Sequence, residues 1–317
     1  MTPILKMAEM KNIQWDKLYS SFGERIQEDV PLSRFTAARV GGEADALIVV
    51  DSKDLLVETI NFLWEVDIPF FLLGGGSNIL ISDYGFRGVV ILNHVKGIEI
   101  KSDSLLVEAS SGASFGQMAR KICSRGFGGF EWATGIPGTV GGAVYGNAGA
   151  HGSDVASCLY MAEILHRGKG IEEFSPEEML FSYRSSVLKR KKVEGIVLAA
   201  KFQIDESSEE STRKLVERYT KSRKESQPPG ASMGSMFKNP PGDYAGRLIE
   251  AVGLKNTQIG GASISPLHAN FFITSDNASA DDVFRLIKIA KHEVYKKFGI
   301  ELELEIELIG EWDNPCE

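Results

Sequence analysis

The sequence predicts an α+β fold divided among two or three domains, on three observations. At 317 residues the chain exceeds what one typical core accommodates. Residues 43–71 read strand, helix, strand, whereas residues 98–204 mix strands with glycine-rich loops. From residue 207 the pattern turns helical and closes on one alternating segment, residues 300–309. A content of 43% hydrophobic and 25% charged residues is ordinary for a soluble globular protein.

Ala46-Leu47-Ile48-Val49-Val50 has the short apolar run of a buried strand. Asp51 or Ser52 can cap the next helix, whose Leu56, Ile60 and Leu63 fall on one face. Pro69 ends that pattern, and residues 70–73 read as a strand running into Gly74-Gly75-Gly76-Ser77-Asn78. Three consecutive glycines let backbone amides approach a diphosphate without interference from Cβ atoms, a tight turn being the plain alternative. Residues 105–109 read as a strand. Ser114 opens a helix with Gln117 in capping-box position, Met118, Ala119 and Ile122 as its apolar stripe, and Gly126 as its stop. Residues 134–152 hold seven glycines and an Asn147-Ala148-Gly149 turn, and read as a functional loop.

Arg213, Lys214, Arg218, Lys221, Arg223 and Lys224 crowd onto the helix that begins near residue 207. Either they form a solvated face with Glu partners or some of them meet an anion. Next comes Gly234-Ser235-Met236-Phe237-Lys238-Asn239-Pro240, with a hydroxyl, an ammonium and an amide just after a Pro-Pro-Gly turn. A pinned loop of this kind presents polar groups for chemistry. Ser279 caps a further helix carrying Val283, Leu286, Ile287, Ala290 and Val294, stopped by Gly299. Residues 300–309 alternate strictly and set Glu301, Glu303, Glu305 and Glu307 on one strand face, the pattern of a solvated edge.

A net charge of −8 disfavours sequence-independent nucleic-acid binding, so an anionic ligand must be met by local basic clusters. Cys123, Cys158 and Cys316 are scattered and odd in number, which points to a reducing compartment and offers no metal spacing. Residues 1–16 carry Lys6, Glu9 and Lys11 and do not read as a signal peptide, and no apolar run approaches a membrane span. A cytoplasmic protein is expected, with no metal, no nucleic acid and no membrane insertion.

No dinucleotide fingerprint, Walker loop or His-Glu-x-x-His is present. A hydrolase elbow matches at Gly112-Ala113-Ser114-Phe115-Gly116 and at Gly230-Ala231-Ser232-Met233-Gly234. Ser114 is already explained as a helix cap and the second match lacks a preceding strand, so a serine hydrolase is only the rival enzyme class.

Six segments together identify a resemblance. Residues 35–42, the Gly74 to Asn78 loop, Gly135-Ile136-Pro137-Gly138-Thr139-Val140-Gly141-Gly142 with Asn147, Ser182-Tyr183-Arg184, residues 234–240 and residues 302–310 occur here in order. That set resembles the UDP-N-acetylenolpyruvoylglucosamine reductase family over nearly the whole chain. The resemblance implies an FAD-binding architecture of two α+β subdomains, residues 1–97 and 98–206, with a third α+β substrate-binding domain at residues 207–317. It also leaves room for the C-terminal strand to pack back on the first.

The same resemblance implies non-covalent FAD, NADPH as co-substrate, and a UDP-sugar reduced at its enolpyruvyl group. It assigns Ser235, Arg184 and Glu305 to catalysis. Arg39, Gly74, Gly75, Gly76, Ser77, Asn78, Gly135, Ile136, Pro137, Gly138, Thr139, Gly141, Gly142 and Asn147 are assigned to FAD. Tyr183, Arg223, Lys238 and Asn239 are assigned to the substrate. Residues 204–210 carry no aromatic insertion, so the chain resembles the shorter subtype without a tyrosine loop. The competing readings are a flavin oxidase with covalent FAD and a nucleotide-sugar binding module without chemistry.

Overall fold

A computed structural model describes residues 14–312; Cys316 and the N-terminal run through residue 13 lie outside the described residues. Four strands form the first sheet, in the order Ile26–Pro31, Glu43–Val50, Phe86–Asn93, Phe70–Leu73. The first pair is antiparallel and the other two are parallel. The run read from Ala46 to Val50 belongs to a strand buried on both faces, as continuous apolar sequence requires. Ser52, rather than Asp51, caps the helix Lys53–Glu65, accepting from the Leu55 N–H, and Leu56, Ile60 and Leu63 are buried beneath it.

The second sheet is antiparallel, in the order Gly170–Phe174, Leu159–His166, Gly195–Gln203, Leu106–Ser110, Ile98–Lys101. Against it packs the helix Phe115–Cys123, capped by Ser114 with Met118, Ala119 and Ile122 buried as expected. The stretch expected as one long loop contains a helix, Val140–Gly146. Thr139 caps its start and Asn147 ends it at φ 46°, and Val140, Ala143 and Val144 are buried beneath it. The helix Glu209–Ser226 also joins this second core through Val216 and Tyr219, and Thr212 Oγ1 donates to the Cys123 carbonyl.

The third core lies between the helix Ala280–Phe298 and the short antiparallel sheet of Gln258–Ile259, Ala262–Ile264 and Phe272–Thr274. Ala38, Val40 and Leu80 from the first part of the chain are buried in that same core. The Asp83 carboxylate accepts from the Ala280 and Asp281 N–H groups, where the helix dipole favours a negative charge. First and third units are thereby joined by both apolar and polar contacts.

Residues 300–309 do not form one strand. Residues 303 to 305 bond to the Met236–Lys238 backbone, and Glu307–Ile309 alone forms a strand, parallel to Ile79–Ile81. The acids therefore part company: Glu303 is exposed, while Glu305 keeps 14% of its side chain accessible. The alternation was real, but two different partners read it.

Candidate active site

A cleft of about 1320 Å³ runs between the three cores. Its floor is the meeting of the two glycine loops. A Cβ on Gly74 would stand 2.5 Å from Thr139 Oγ1, and one on Gly75 would stand 2.7 Å from the Gly138 Cα. Glycine is thus required here first for loop-on-loop contact, and that contact leaves backbone lining the cleft. Gly76 is fixed still more tightly: its φ is +57°, and a Cβ would lie 2.0 Å from the Phe35 carbonyl. Gly76→Ala should cost at least about 1–2 kcal/mol from the left-handed backbone alone. A lower melting temperature would measure it; an unchanged one would show that the loop tolerates displacement.

Ser235 enters the cleft from a turn made by Gly234 at φ 78°. Arg184 enters from a two-residue turn in which Ser182 and Ser185 exchange both backbone hydrogen bonds, with Arg184 itself at φ 56°. Arg190 donates to the Ser182 and Ser185 hydroxyls and holds that turn closed. Arg184 Nε lies 2.8 Å from Glu305 Oε1, yet its N–H is not directed at that oxygen. The contact is an ion pair by distance and no hydrogen bond by direction. Among the described residues, Arg184 Nε is the buried side-chain polar atom left without a hydrogen-bond partner. An orphaned guanidinium N–H in a cleft is a group prepared for a ligand.

Glu305 is held by its own backbone. Its N–H donates to the Met236 carbonyl, and its carbonyl accepts from Asn78 Nδ2 and Lys189 Nζ. Burial pushes its carboxyl above the usual range, while Arg184, Lys189 and Lys238 pull it back. A raised folded-state pKa means the associated stability is complete in acid and lost as pH climbs through the raised value. Glu305→Gln, locked in the neutral shape, should therefore lose less stability than the parent as pH rises above the ordinary carboxyl range. Parallel melting curves across that rise would contradict the burial argument.

Lys189 also pairs with Glu307 at 3.5 Å, and Tyr145 donates to Glu307 at 3.3 Å. Burial first, then Glu307, raises the Tyr145 phenol, so it stays a donor. Sequence reasoning missed Lys189 and Tyr145. Lys189 opens the run Lys189-Arg190-Lys191-Lys192, which looks like an ordinary wet basic patch.

At the opposite wall His151 stacks on Tyr219 at 4.2 Å and 18°. Arg223 lies over Gly135, where a Cβ would meet its Cδ at 3.0 Å, and burial lowers its pKa. Of the basic helix, Arg213, Lys214 and Lys221 pair with Glu one turn away on the solvated face, while Arg223 faces the cleft. Gly135 and Arg223 line a side pocket of about 300 Å³ that opens beside it.

Gly74, Gly75, Gly76, Ser77, Asn78, Ile136, Pro137, Gly138, Thr139, Gly141, Gly142, Arg184, Arg223, Ser235, Asn239 and Glu305 all line the main cleft. Five expected residues do not: Gly135 lines only the side pocket, and the other four lie elsewhere. Arg39 is exposed on the far side of a segment whose Ala38 and Val40 are buried in the third core. Asn147 is 2% exposed and holds three loops, bonding Asp154, the Ser182 carbonyl and the Ala156 N–H. Tyr183 is 54% exposed beside Arg184, and Lys238 is bound to Glu303 outside the cleft. Asn239 lines the rim but spends its Oδ1 on the Ala245 N–H.

Residues 44–172 match the family model described as FAD binding domain. Residues 225–309 match the one described as UDP-N-acetylenolpyruvoylglucosamine reductase, C-terminal domain. A UDP-N-acetylenolpyruvoylglucosamine reductase of Caldanaerobacter subterraneus is 42% identical over 305 residues, covering 95% of this chain and all of that one. The enzyme of the same name from Bacillus subtilis is 39% identical over 292 residues, covering 90% of this chain and 94% of its own. The crystal structure of the reductase from Thermus caldophilus superposes with a TM-score of 0.78 at 33% identity, covering 90% of this chain and 99% of that chain.

Proposed function

The chain belongs to the UDP-N-acetylenolpyruvoylglucosamine reductase family, and from that premise we propose how its cleft carries out the family's reaction. The protein is an FAD-dependent oxidoreductase of α+β fold that reduces the enolpyruvyl group of UDP-N-acetylglucosamine enolpyruvate to the lactyl ether. The product is UDP-N-acetylmuramate, for peptidoglycan synthesis. NADPH as the donor, non-covalent FAD and a cytoplasmic setting are parts of the proposal; no helix among the described residues is long and apolar enough to cross a membrane. So is the three-unit division, in which the helix Glu209–Ser226, expected to open the third unit, packs on the second core and the third unit follows it.

The observation that carries the site reading is the buried Arg184 Nε, without a hydrogen bond, beside Glu305 in the cleft that Ser235 enters. The two glycine loops and the cleft volume fit FAD: residues 74–78 and 136–139 with Gly141 and Gly142 line the space, and the glycines among them add no side chains to it. When bound, FAD supplies the redox chemistry, accepting hydride from NADPH and delivering it to the vinyl carbon.

The protein's part is charge and proton. Hydride addition leaves negative charge on the carbon next to the substrate carboxylate, where the permanently charged Arg184 guanidinium stabilises it. Glu305 stands beside the guanidinium at 2.8 Å as its ion-pair partner, and burial raises its carboxyl above the usual range. The Ser235 hydroxyl then donates the proton that completes the lactyl carbon. Serine is a weak acid, so it acts here because the carbanion is a strong base. Arg223, with no hydrogen bond or ion pair to its side chain among the described residues, meets the diphosphate. His151 beside it loses basicity through burial and then through Arg223 and Arg218, so it stays neutral.

The test is spectroscopic. Purified protein should be yellow and release FAD into the supernatant on acid precipitation. Anaerobic NADPH should bleach it, and the enolpyruvyl substrate should restore the colour with one product formed per flavin. Flavin retained in the precipitate, or a bleached enzyme indifferent to the substrate, would contradict the reading.

A further inference from the structure

We propose that Asn270 is the positioning residue that holds the Ser235 hydroxyl in register with Glu305. Asn270 is 3% exposed and grips one residue, Phe237, at both its N–H and its carbonyl. Its Oδ1 accepts the Phe237 N–H at 2.9 Å, and its Nδ2 donates to the Phe237 carbonyl at 2.8 Å. Its own carbonyl accepts the Met236 N–H at 2.8 Å. One orientation of the amide satisfies both Phe237 groups, so the side chain has a single productive setting.

The gripped segment is the centre of a small ladder. Ser235 bridges Phe271 on one side and Phe237 bridges Leu304 on the other. On that second side the Glu305 N–H donates to the Met236 carbonyl and the Lys238 N–H to the Glu303 carbonyl, each at 2.9 Å. The spacing between Ser235 and Glu305 is therefore set by where residues 235–238 sit. Gly234 at φ 78° precedes the segment and Pro240 follows it, so it cannot lengthen into a self-supporting strand. Asn270 supplies the two hydrogen bonds that a longer strand would have supplied. A displacement of about 1 Å in a proton donor is enough to cost about 10² in rate.

The inference rests on Ser235 as proton donor, and the experiment separates the two ideas. Asn270→Asp keeps the acceptor for the Phe237 N–H but turns an oxygen against the Phe237 carbonyl; Asn270→Leu removes both bonds. Reoxidation of the reduced enzyme by the enolpyruvyl substrate should slow about 10-fold in the first and about 100-fold in the second, while reduction by NADPH stays within about twofold. Thr274→Val is the control for a purely structural loss. Thr274 is 7% exposed on the same stretch of chain and donates to the Ala38 carbonyl. That variant should melt earlier with its two half-reactions in the parent ratio. Should Asn270→Leu fail to fold, Asn270→Asp with one bond intact carries the test. Parent-rate reoxidation in Asn270→Asp, or an equal fall in both half-reactions, overturns the proposal. A slow Ser235→Ala alongside a fast Asn270→Asp would end this inference alone; a fast Ser235→Ala would end the reading beneath it.

Discussion

Replacing Ser235 with alanine should leave reduction of the enzyme by NADPH at the parent rate and slow reoxidation by the enolpyruvyl substrate by about 10²–10⁴, the range of a lost general acid. The split follows from where the proton is needed. Hydride from NADPH arrives without any demand on the serine, whereas the substrate's second carbon must be protonated to complete its reduction. Removing one hydroxyl from a half-buried turn should disturb little else, because among the described residues Ser235 Oγ makes no hydrogen bond. A factor of that size corresponds to roughly 3–5 kcal/mol of barrier. Stopped-flow measurement of each half-reaction checks it. If both run normally, the proton comes from another group, and Tyr145, kept protonated in the same cleft, is the next candidate to substitute.

Arg184→Lys should be nearly as damaging as Arg184→Ala, with reoxidation slowed by about 10²–10³ in both, the cost of losing one preorganised donor. A lysine keeps the charge but not the geometry. Arg184 presents a planar fork from a backbone at φ 56°, with Nε beside Glu305 at 2.8 Å. An ammonium reaching the same space would pair with Glu305 and leave the developing carboxylate charge unserved. It would also need its one charge to satisfy a carboxylate that burial already makes reluctant to ionise. Near-parent turnover in the lysine variant would show that a point charge suffices.

Much of the fold was legible in local chemistry. Ser52, Ser114 and Ser279 each cap the helix that sequence assigns them, and Ser279 forms its capping box with Asp282. Leu56, Ile60 and Leu63 bury the face their spacing describes. What stayed hidden depends on contacts between distant segments. The glycine triplet signals a ligand, yet its tightest constraint is the Phe35 carbonyl against Gly76. Strict alternation at residues 300–309 signals one strand, yet residues 303–305 and 307–309 answer to different partners. Lys238 sits in the most informative segment of the chain, but the alternation of that segment turns its ammonium to Glu303. Arg39 is aimed outward by a turn whose neighbours are buried. Asn270 carries no local signal at all, because its importance lies in a peptide 33 residues away in sequence.

The central claim is that one hydroxyl, one guanidinium and one buried carboxyl meet around the enolpyruvyl group. A crystal structure of the protein with FAD and the enolpyruvyl substrate bound measures this directly. Ser235 Oγ should lie about 3–3.5 Å from the carbon to be protonated, with Arg184 on the substrate carboxylate and Glu305 behind it. A substrate seated with that carbon out of reach of Ser235, and Arg184 still turned to Glu305 alone, would contradict the account.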